Sequence, residues 1–469
     1  LKYVRKLNMD FVWRAFYNVI ITPLFCLSAR VYSLFNSKAR EGLRGRKVMF
    51  DNISEQASFG RDRTHRAPIL WFHCASVGEF EQARPIIAAF EEKKTTEARR
   101  HREGEEKKSD PSVSPCLRGS PSDGRARIVV SFFSPSGYNA AANYTHADLV
   151  CYLPFDTAMN ARRMFQLIDP SILIFVKFDV WPNYVWTAAK MHVPVILADA
   201  TLHGKSKRLW PVARSFLKSV HKHINLHCAI SAFDAQRLER ICPKDARILV
   251  TGDTRFDQVI ARRGSAGKKL KGLLPQFEAP VIIAGSTYIE DERVVIDAYQ
   301  KVLAGWGEVQ LVLVPHEPEP DRLAEIDALM SQRSLPYILL SQIEKGAELN
   351  SAAIVVDRVG VLAELYLLGD ITFIGGSFHG SVHNVMEPAV MGKPVLFGPT
   401  IHNSLEAMML RERGAGIMIK DSEEMASELV RLLSDDELRE RLGKAAQALI
   451  EENAGATEKI ISCIDEFLR

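Results

Sequence analysis

The sequence predicts an α/β protein of two doubly wound, parallel-sheet domains in tandem, preceded by a membrane-associated helix. Three observations predict it. The chain has 469 residues, more than one core usually holds. From residue 68 onward, short β-branched apolar runs alternate with helical stretches, and the alternation restarts near residue 279. Residues 1–66 carry thirteen Lys/Arg against five Asp/Glu, about +8 in a chain of net charge +3, and the excess flanks an apolar run.

That run, "WRAFYNVIITPLFCLSARVYSLF", comes first. Fifteen mostly apolar residues separate Arg14 from Arg30, interrupted by Asn18, Thr22 and Pro23. The length is short of the roughly 20 residues of a clean transmembrane helix. It either lies in the interface or spans with help from snorkelling arginines. No small-residue cleavage site follows, so removal is not expected. The basic stretch Lys38 to Lys47 then faces the cytoplasm by the positive-inside rule. A core helix of a soluble domain is the alternative. Residues 1–66 are read as this anchoring segment.

Residues 67–262 form the first domain, with strands at "APILWFHC", "ARIVVSFF", "DLVCYLPF", "SILIFVKF", "VPVILADA", "LHCAIS" and "ARILVTG". A charged, then Ser/Pro/Gly-rich stretch at about 91–127 has little to bury and reads as a flexible loop after the first helix. Residues 263–278, rich in Gly and Lys, read as the linker. Residues 279–469 form the second domain, with strands "VIIAGS", "VQLVLVP", "PYILL", "AAIVV", "DITFIGGS" and "KPVLFGP" and amphipathic helices at the end. Tandem domains of this kind offer a ligand the C-terminal edges of two sheets.

Composition narrows the function. With 47% hydrophobic and 25% charged residues the chain is neither disordered nor wholly membrane-embedded. No nucleic-acid motif accompanies the basic segment, so a membrane is the expected anionic partner. The seven cysteines (26, 74, 116, 151, 228, 242, 463) are scattered without a C-x-x-C pair. That fits a reducing compartment and small buried thiols rather than a disulfide framework or zinc site. No cluster of metal ligands is apparent, and neither a metal nor a cofactor is expected.

Several residues carry chemistry. In "WFHCASVGEFEQARPII" an apolar strand ends in small residues and Glu79 follows at once. It is either an acid complementing a helix start or a general base at a sheet's C-terminal edge. "AGST" (Ala284–Thr287) and "GGS" (Gly375–Ser377) end strands where backbone N–H groups could meet a phosphate. In "HNVMEPAVMG" Asn384 can cap a helix, with Glu387 at its third position reaching back or meeting a ribose hydroxyl. "VPHEPEP" puts His316 at a strand end.

Taken in order, "WFHCASVGE", "FFSPSGY", "YLPFD", "KFDVWPN", "GDTRFD", "AGSTYIEDE", "LVPHEPE", "FIGGSFHGSVHNVMEPA" and "GKPVLFGP" resemble the Kdo (3-deoxy-D-manno-octulosonic acid) transferases of lipopolysaccharide assembly, over about residues 10–450. The resemblance implies a GT-B fold of two Rossmann-like domains and inverting transfer of Kdo from CMP-Kdo to a lipid A precursor (lipid IVA). It also implies the cytoplasmic face of the inner membrane. It makes Glu79 the general base, with Ser76 and Gly78 in the acceptor turn. Asp179, Lys177 and Arg255 join the catalytic group, Lys177 where the family more often has an acid and Arg255 where it more often has Lys. It assigns CMP-Kdo contacts to Pro315 and His316, to Gly360, Val361 and Leu362, and to Asn384, Val385, Met386 and Glu387; the strand-end turns Gly285, Ser286 and Thr287 and Gly376 and Ser377 are expected to join them at the donor. "ADATLHGKS" (198–206) departs from a family pattern with Asn and Arg near Asp199 and Thr201. The alternatives are a UDP-sugar 2-epimerase-like enzyme and a catalytically idle nucleotide-sugar-binding protein at the membrane.

Overall fold

A computed structural model describes residues 9–56, 67–106, 126–270, 277–349 and 351–469. It holds two compact units, Leu1–Gln258 with Ala454–Arg469, and Val259–Asn453.

In the first unit β1 (Ile69–Cys74), β2 (Arg127–Phe132), β3 (Leu149–Tyr152), β4 (Ile172–Val176), β5 (Val195–Ala200), β6 (Leu226–Ala229) and β7 (Ile248–Val250) form one parallel sheet in the order 3-2-1-4-5-6-7. Helices cover both faces, so the strands are apolar runs rather than alternating ones. All six residues of β1 are buried. The two polar side chains at one register position of β1 and β2 satisfy each other: Ser131 Oγ meets His73 Nδ1 at 3.0 Å and accepts from Trp71 Nε1 at 2.9 Å.

The second unit repeats the plan. β8 (Val281–Thr287), β9 (Gln310–Pro315), β10 (Tyr337–Leu339), β11 (Ala353–Val355), β12 (Ile371–Ile374), β13 (Val395–Phe397) and β14 (Gly416–Met418) pair in parallel in the order 10-11-9-8-12-13-14. Thirteen strands match the apolar runs of the sequence. β14 was not anticipated: it is a three-residue, half-buried edge strand in "GAGIMIK".

The chain reverses direction across the first sheet between β1 and β4, and across the second between β8 and β12. These are the switch points where open α/β sheets leave a crevice at their strands' C-terminal ends.

Met9–Phe35 is one helical stretch of 27 residues, apolar and long enough to cross a membrane, with a short π-helical turn at Tyr17–Ile21. It is not a core helix, because Val19, Leu24, Leu27, Val31, Leu34 and Phe35 are exposed. Its inner side is pinned to the first sheet. Tyr17 Oη donates to Asp156 at 2.7 Å, and Asn183 Nδ2 donates to Asn18 Oδ1 at 3.0 Å. The acid of "YLPFD" and the amide of "KFDVWPN" therefore anchor this helix.

Three boundaries differ from the sequence reading. The helix after β1 runs from Val77 to Glu106, so 91–106 is helical where a loop was expected. Its Glu, Lys, Arg and Ala are strong helix formers even with nothing apolar to bury. The rest of the expected loop to residue 125 lies outside the described residues. Of the expected linker, 263–270 belongs to the helix Thr254–Leu270, and 271–276 lie outside the described residues. The last helix, Ala456–Leu468, packs in the first unit although its sequence position suggested the second. Ile460, Ile461 and Ile464 share a core with Phe80, Ala83 and Ile87. Asp257 holds the helix start by accepting from the N–H groups of Gly455 (2.5 Å) and Thr457 (2.7 Å).

Candidate active site

Glu79 follows β1 at the first switch point. The carbonyl of Ser76 accepts the N–H of Phe80 at 3.1 Å, which makes Ser76 the helix cap and Glu79 the third helical residue. Glu79 Oε2 reaches back to accept from Ser76 N–H at 3.2 Å and from Ala75 N–H. This is the carboxylate half of a capping box. An ordinary capping acid is solvated, whereas Glu79 is 3% exposed. Burial, then the nearby Asp179 carboxylate, push its pKa up to about 7, against the two backbone donors and the Lys177 ammonium, which pull it down. Helix-start acid and poised base are thus the same residue. Ser76 and Gly78 are exposed, and a Cβ on Gly78 would meet open space.

Lys177 and Asp179 follow β4, the strand across the switch point from β1. Lys177 adopts φ 72°, a left-handed conformation uncommon for a residue with a Cβ, and its N–H donates to the Ala198 carbonyl at 2.8 Å. Asp179 pairs with Arg208 at 3.2 Å, and the Arg208 guanidinium lies over the Phe178 ring. The structure therefore gathers Glu79, Lys177 and Asp179 into one electrostatic neighbourhood.

Arg255 belongs to a different cluster, after β7. Its guanidinium is bidentate on Asp253, with Nε and Nη2 at 2.9 and 2.6 Å from Oδ2. Behind it, buried Asp199 accepts from the N–H of Thr254 at 3.2 Å and from its hydroxyl. Burial, then Asp253, hold the Asp199 carboxyl well above the usual carboxylate range. Thr254 Oγ1 also lies 2.7 Å from the carbonyl of Gln82, three residues beyond Glu79.

In the second unit, Gly285, Ser286 and Thr287 end β8, and Gly376 and Ser377 follow β12, on the two sides of the second switch point. The loops are held by Asp291, a buried residue that the sequence reading missed. Its Oδ2 accepts from Gly376 N–H (2.7 Å) and Tyr288 N–H (2.9 Å), and its Oδ1 from Phe378 N–H (3.2 Å). Gly376 sits at φ 87°, and a Cβ there would collide with the Ser381 carbonyl and the His383 ring. Pro315 ends β9 and leads to exposed His316. Its imidazole stacks on His383 with centroids 4.2 Å apart, and Tyr288 stacks on His379 at 4.3 Å. Burial, then His316 and His379, push His383 down to about 4, so it is neutral near pH 7.

Gly360 (φ 88°) and Val361 precede the one-turn helix Leu362–Leu365. Asn384 Oδ1 accepts from Met386 N–H at 3.1 Å, two residues on, and the helix Met386–Val390 is capped at Val385. Glu387 therefore stands one position earlier in the helix than expected. There it pairs with Arg262 at 3.0 Å. Arg262 was not anticipated, because nothing local links positions 125 residues apart.

Comparisons with known proteins agree with this architecture. A family profile described as 3-deoxy-D-manno-octulosonic-acid transferase (kdotransferase) matches residues 51–100 and 104–258. The chain is similar to the 3-deoxy-D-manno-octulosonic acid transferase of Haemophilus influenzae, 25% identical over 97% of this chain and 99% of that one. It is also similar to the enzyme of the same name from Aquifex aeolicus, 27% identical over 78% of this chain and 86% of that one. Among solved structures it shares the fold of a UDP-GlcNAc 2-epimerase from Neisseria meningitidis, with TM-score 0.56, 12% identity, and 85% of this chain and 100% of that one covered. A glycosyltransferase from Rickettsia africae gives TM-score 0.54, 12% identity, and 86% and 99% covered. The fold is GT-B-like, and the chain is a glycosyltransferase similar to the 3-deoxy-D-manno-octulosonic acid (Kdo) transferases.

Proposed function

We propose that this protein transfers Kdo from CMP-Kdo to a lipid A precursor (lipid IVA), with inversion, at the cytoplasmic face of the inner membrane. The observation that carries the reading is Glu79: a buried carboxyl at a switch point, with a pKa of about 7. A base poised near the working pH is what deprotonation of a sugar hydroxyl needs. Among the described residues both hydrogen bonds to Glu79 go to Oε2, and Oε1 is the oxygen that takes the proton.

In the reaction the acceptor hydroxyl, oriented by the turn at Ser76 and Gly78, attacks the anomeric carbon as Glu79 takes its proton. The bond to the CMP phosphate oxygen breaks and CMP leaves with the electron pair. One displacement inverts the centre, and no covalent intermediate forms. Lys177 and Arg255 supply positive charge for the donor's carboxylate and phosphate. Asp179 opposes ionisation of Glu79 and keeps it basic. The donor is bound by residues 285–287, 376–377, Pro315, His316, 360–362 and 384–387, with Glu387 on the ribose. The Tyr288–His316–His383–His379 rings supply a stacking face beside them.

The N-terminal helix supports a lipid acceptor. Its pinned side and exposed apolar side fit a helix lying in the interface. Beside it a cavity of about 530 Å³ is lined by Trp13, Phe16, Ile21, Trp210, Val212 and Phe216, apolar surface suited to acyl chains. The test is mass spectrometry of a detergent-solubilised reaction with CMP-Kdo made in situ and tetraacylated lipid A precursor. A product heavier by one or more Kdo units is expected. Inertness toward this pair, with turnover of UDP-GlcNAc instead, would replace the reading with the epimerase-like one.

A further inference from the structure

One cluster in the first unit takes no part in the proposed chemistry. His221 closes the helix Pro211–His221, His227 lies in β6, and Cys242 follows the helix Ala232–Glu239. All three are buried. His221 Nδ1 and His227 Nε2 are 2.9 Å apart, and Cys242 Sγ is 3.6 and 3.5 Å from them. The sequence hid this convergence, since the residues are 6 and 15 positions apart and form no ligand motif.

We propose that His221, His227 and Cys242 form a buried site for one zinc-class transition-metal ion, bound by two imidazole nitrogens and a thiolate. The spacing fits. Zinc at about 2.0–2.1 Å from nitrogen and about 2.3 Å from sulfur in tetrahedral geometry separates S and N by about 3.5 Å and two nitrogens by about 3.3 Å. The two S···N distances already match, and the imidazoles need to part by about 0.4 Å. The donor set is borderline-to-soft, with no carboxylate among the three, which favours zinc or copper(I) over magnesium or calcium. Each imidazole brings a ring nitrogen to the cluster, and the neutral imidazole nitrogen is the form that ligates a metal. On binding, the Cys242 thiol gives its proton to solvent and the sulfur–metal bond forms, with no change of oxidation state.

The ion would tie β6 to the two helices packed against it. A cavity of about 40 Å³ beside His221 is also lined by Lys177, Thr201 and Arg208.

The test uses the full chain in detergent, stripped with a chelator and titrated with Co²⁺ as the probe. One equivalent should give tetrahedral d–d bands and a thiolate-to-cobalt charge-transfer band, both bleached by Zn²⁺. Cys242→Ser should lose the charge-transfer band and bind Co²⁺ more than about 100-fold more weakly, beyond what loss of an outer-shell partner costs. Cys228→Ser, next to His227 and outside the cluster, should keep both bands. Zn²⁺ should raise the unfolding temperature of the native chain and leave that of Cys242→Ser unmoved. Absence of a charge-transfer band in the native chain, or its survival in Cys242→Ser, would reduce the cluster to a hydrogen-bonded His–His–Cys contact. If Cys242→Ser does not fold, loss of the d–d bands in His227→Gln decides in favour, and their retention against.

Discussion

If Glu79 is held ionised at a cost, then replacing it should stabilise the protein while destroying its activity. The perturbation is Glu79→Gln, whose amide oxygen can still accept from Ala75 and Ser76. Burial raises the native pKa from 4.5 to about 7, so the carboxyl prefers its neutral form in the folded state. Such a group favours folding most below the unfolded value, and that contribution is lost as pH rises through the folded value. The shift is about 2.5 pH units, and at about 1.4 kcal/mol per unit the ionised form costs about 3 kcal/mol at pH 8. At pH 5.5, one unit above the unfolded value, the cost is about 1 kcal/mol. Glu79→Gln should therefore gain about 2 kcal/mol more at pH 8 than at pH 5.5. Denaturant unfolding followed by tryptophan fluorescence suits the measurement, because five of the six tryptophans, all but Trp306, lie in the first unit. Equal stability changes at the two pH values would refute the reasoning and return Glu79 to an ordinary capping acid.

Other consequences follow from the same geometry. Asp179→Asn removes a like charge beside Glu79, so the acid limb of kcat/KM against pH should move to lower pH, and Lys177→Met should move it up. Asp291→Ala leaves the Gly376, Tyr288 and Phe378 N–H groups without their acceptor. A loss of about 2–4 kcal/mol in unfolding free energy and a donor KM raised about 10-fold or more are expected, checked by denaturation and initial rates. Leu27→Glu with Leu34→Glu changes two exposed apolar residues of the N-terminal helix. It should lower co-sedimentation with anionic vesicles about 10-fold or more while leaving the unfolding midpoint unchanged.

What the sequence disclosed follows from where its signals are local. Strands buried on both faces write themselves as apolar runs such as "SILIFV" and "VQLVLVP", so thirteen of fourteen were legible. β14 escaped because three half-buried residues at a sheet edge bury too little to leave a pattern. The position of Glu79 was readable from its strand, its small-residue turn and its helix. Its pKa was not, because burial and the charge of Asp179 come from elements a hundred residues away. For the same reason Asp291 looked like one more acid in "YIEDERVV", and the Glu387–Arg262 pair had no local trace. The stretch 91–106 misled in the opposite direction. Absence of apolar residues argued for a loop, while the helix formers in the stretch favour continuing the preceding helix.

The most direct test compares native protein and Glu79→Gln for Kdo transfer from CMP-Kdo to tetraacylated lipid A precursor, with CMP affinity measured on both by calorimetry. The account predicts transfer by the native enzyme, a loss of about 100-fold or more in the variant, and unchanged CMP binding. Transfer retained by a variant that binds CMP normally would contradict it, because the base would then lie elsewhere.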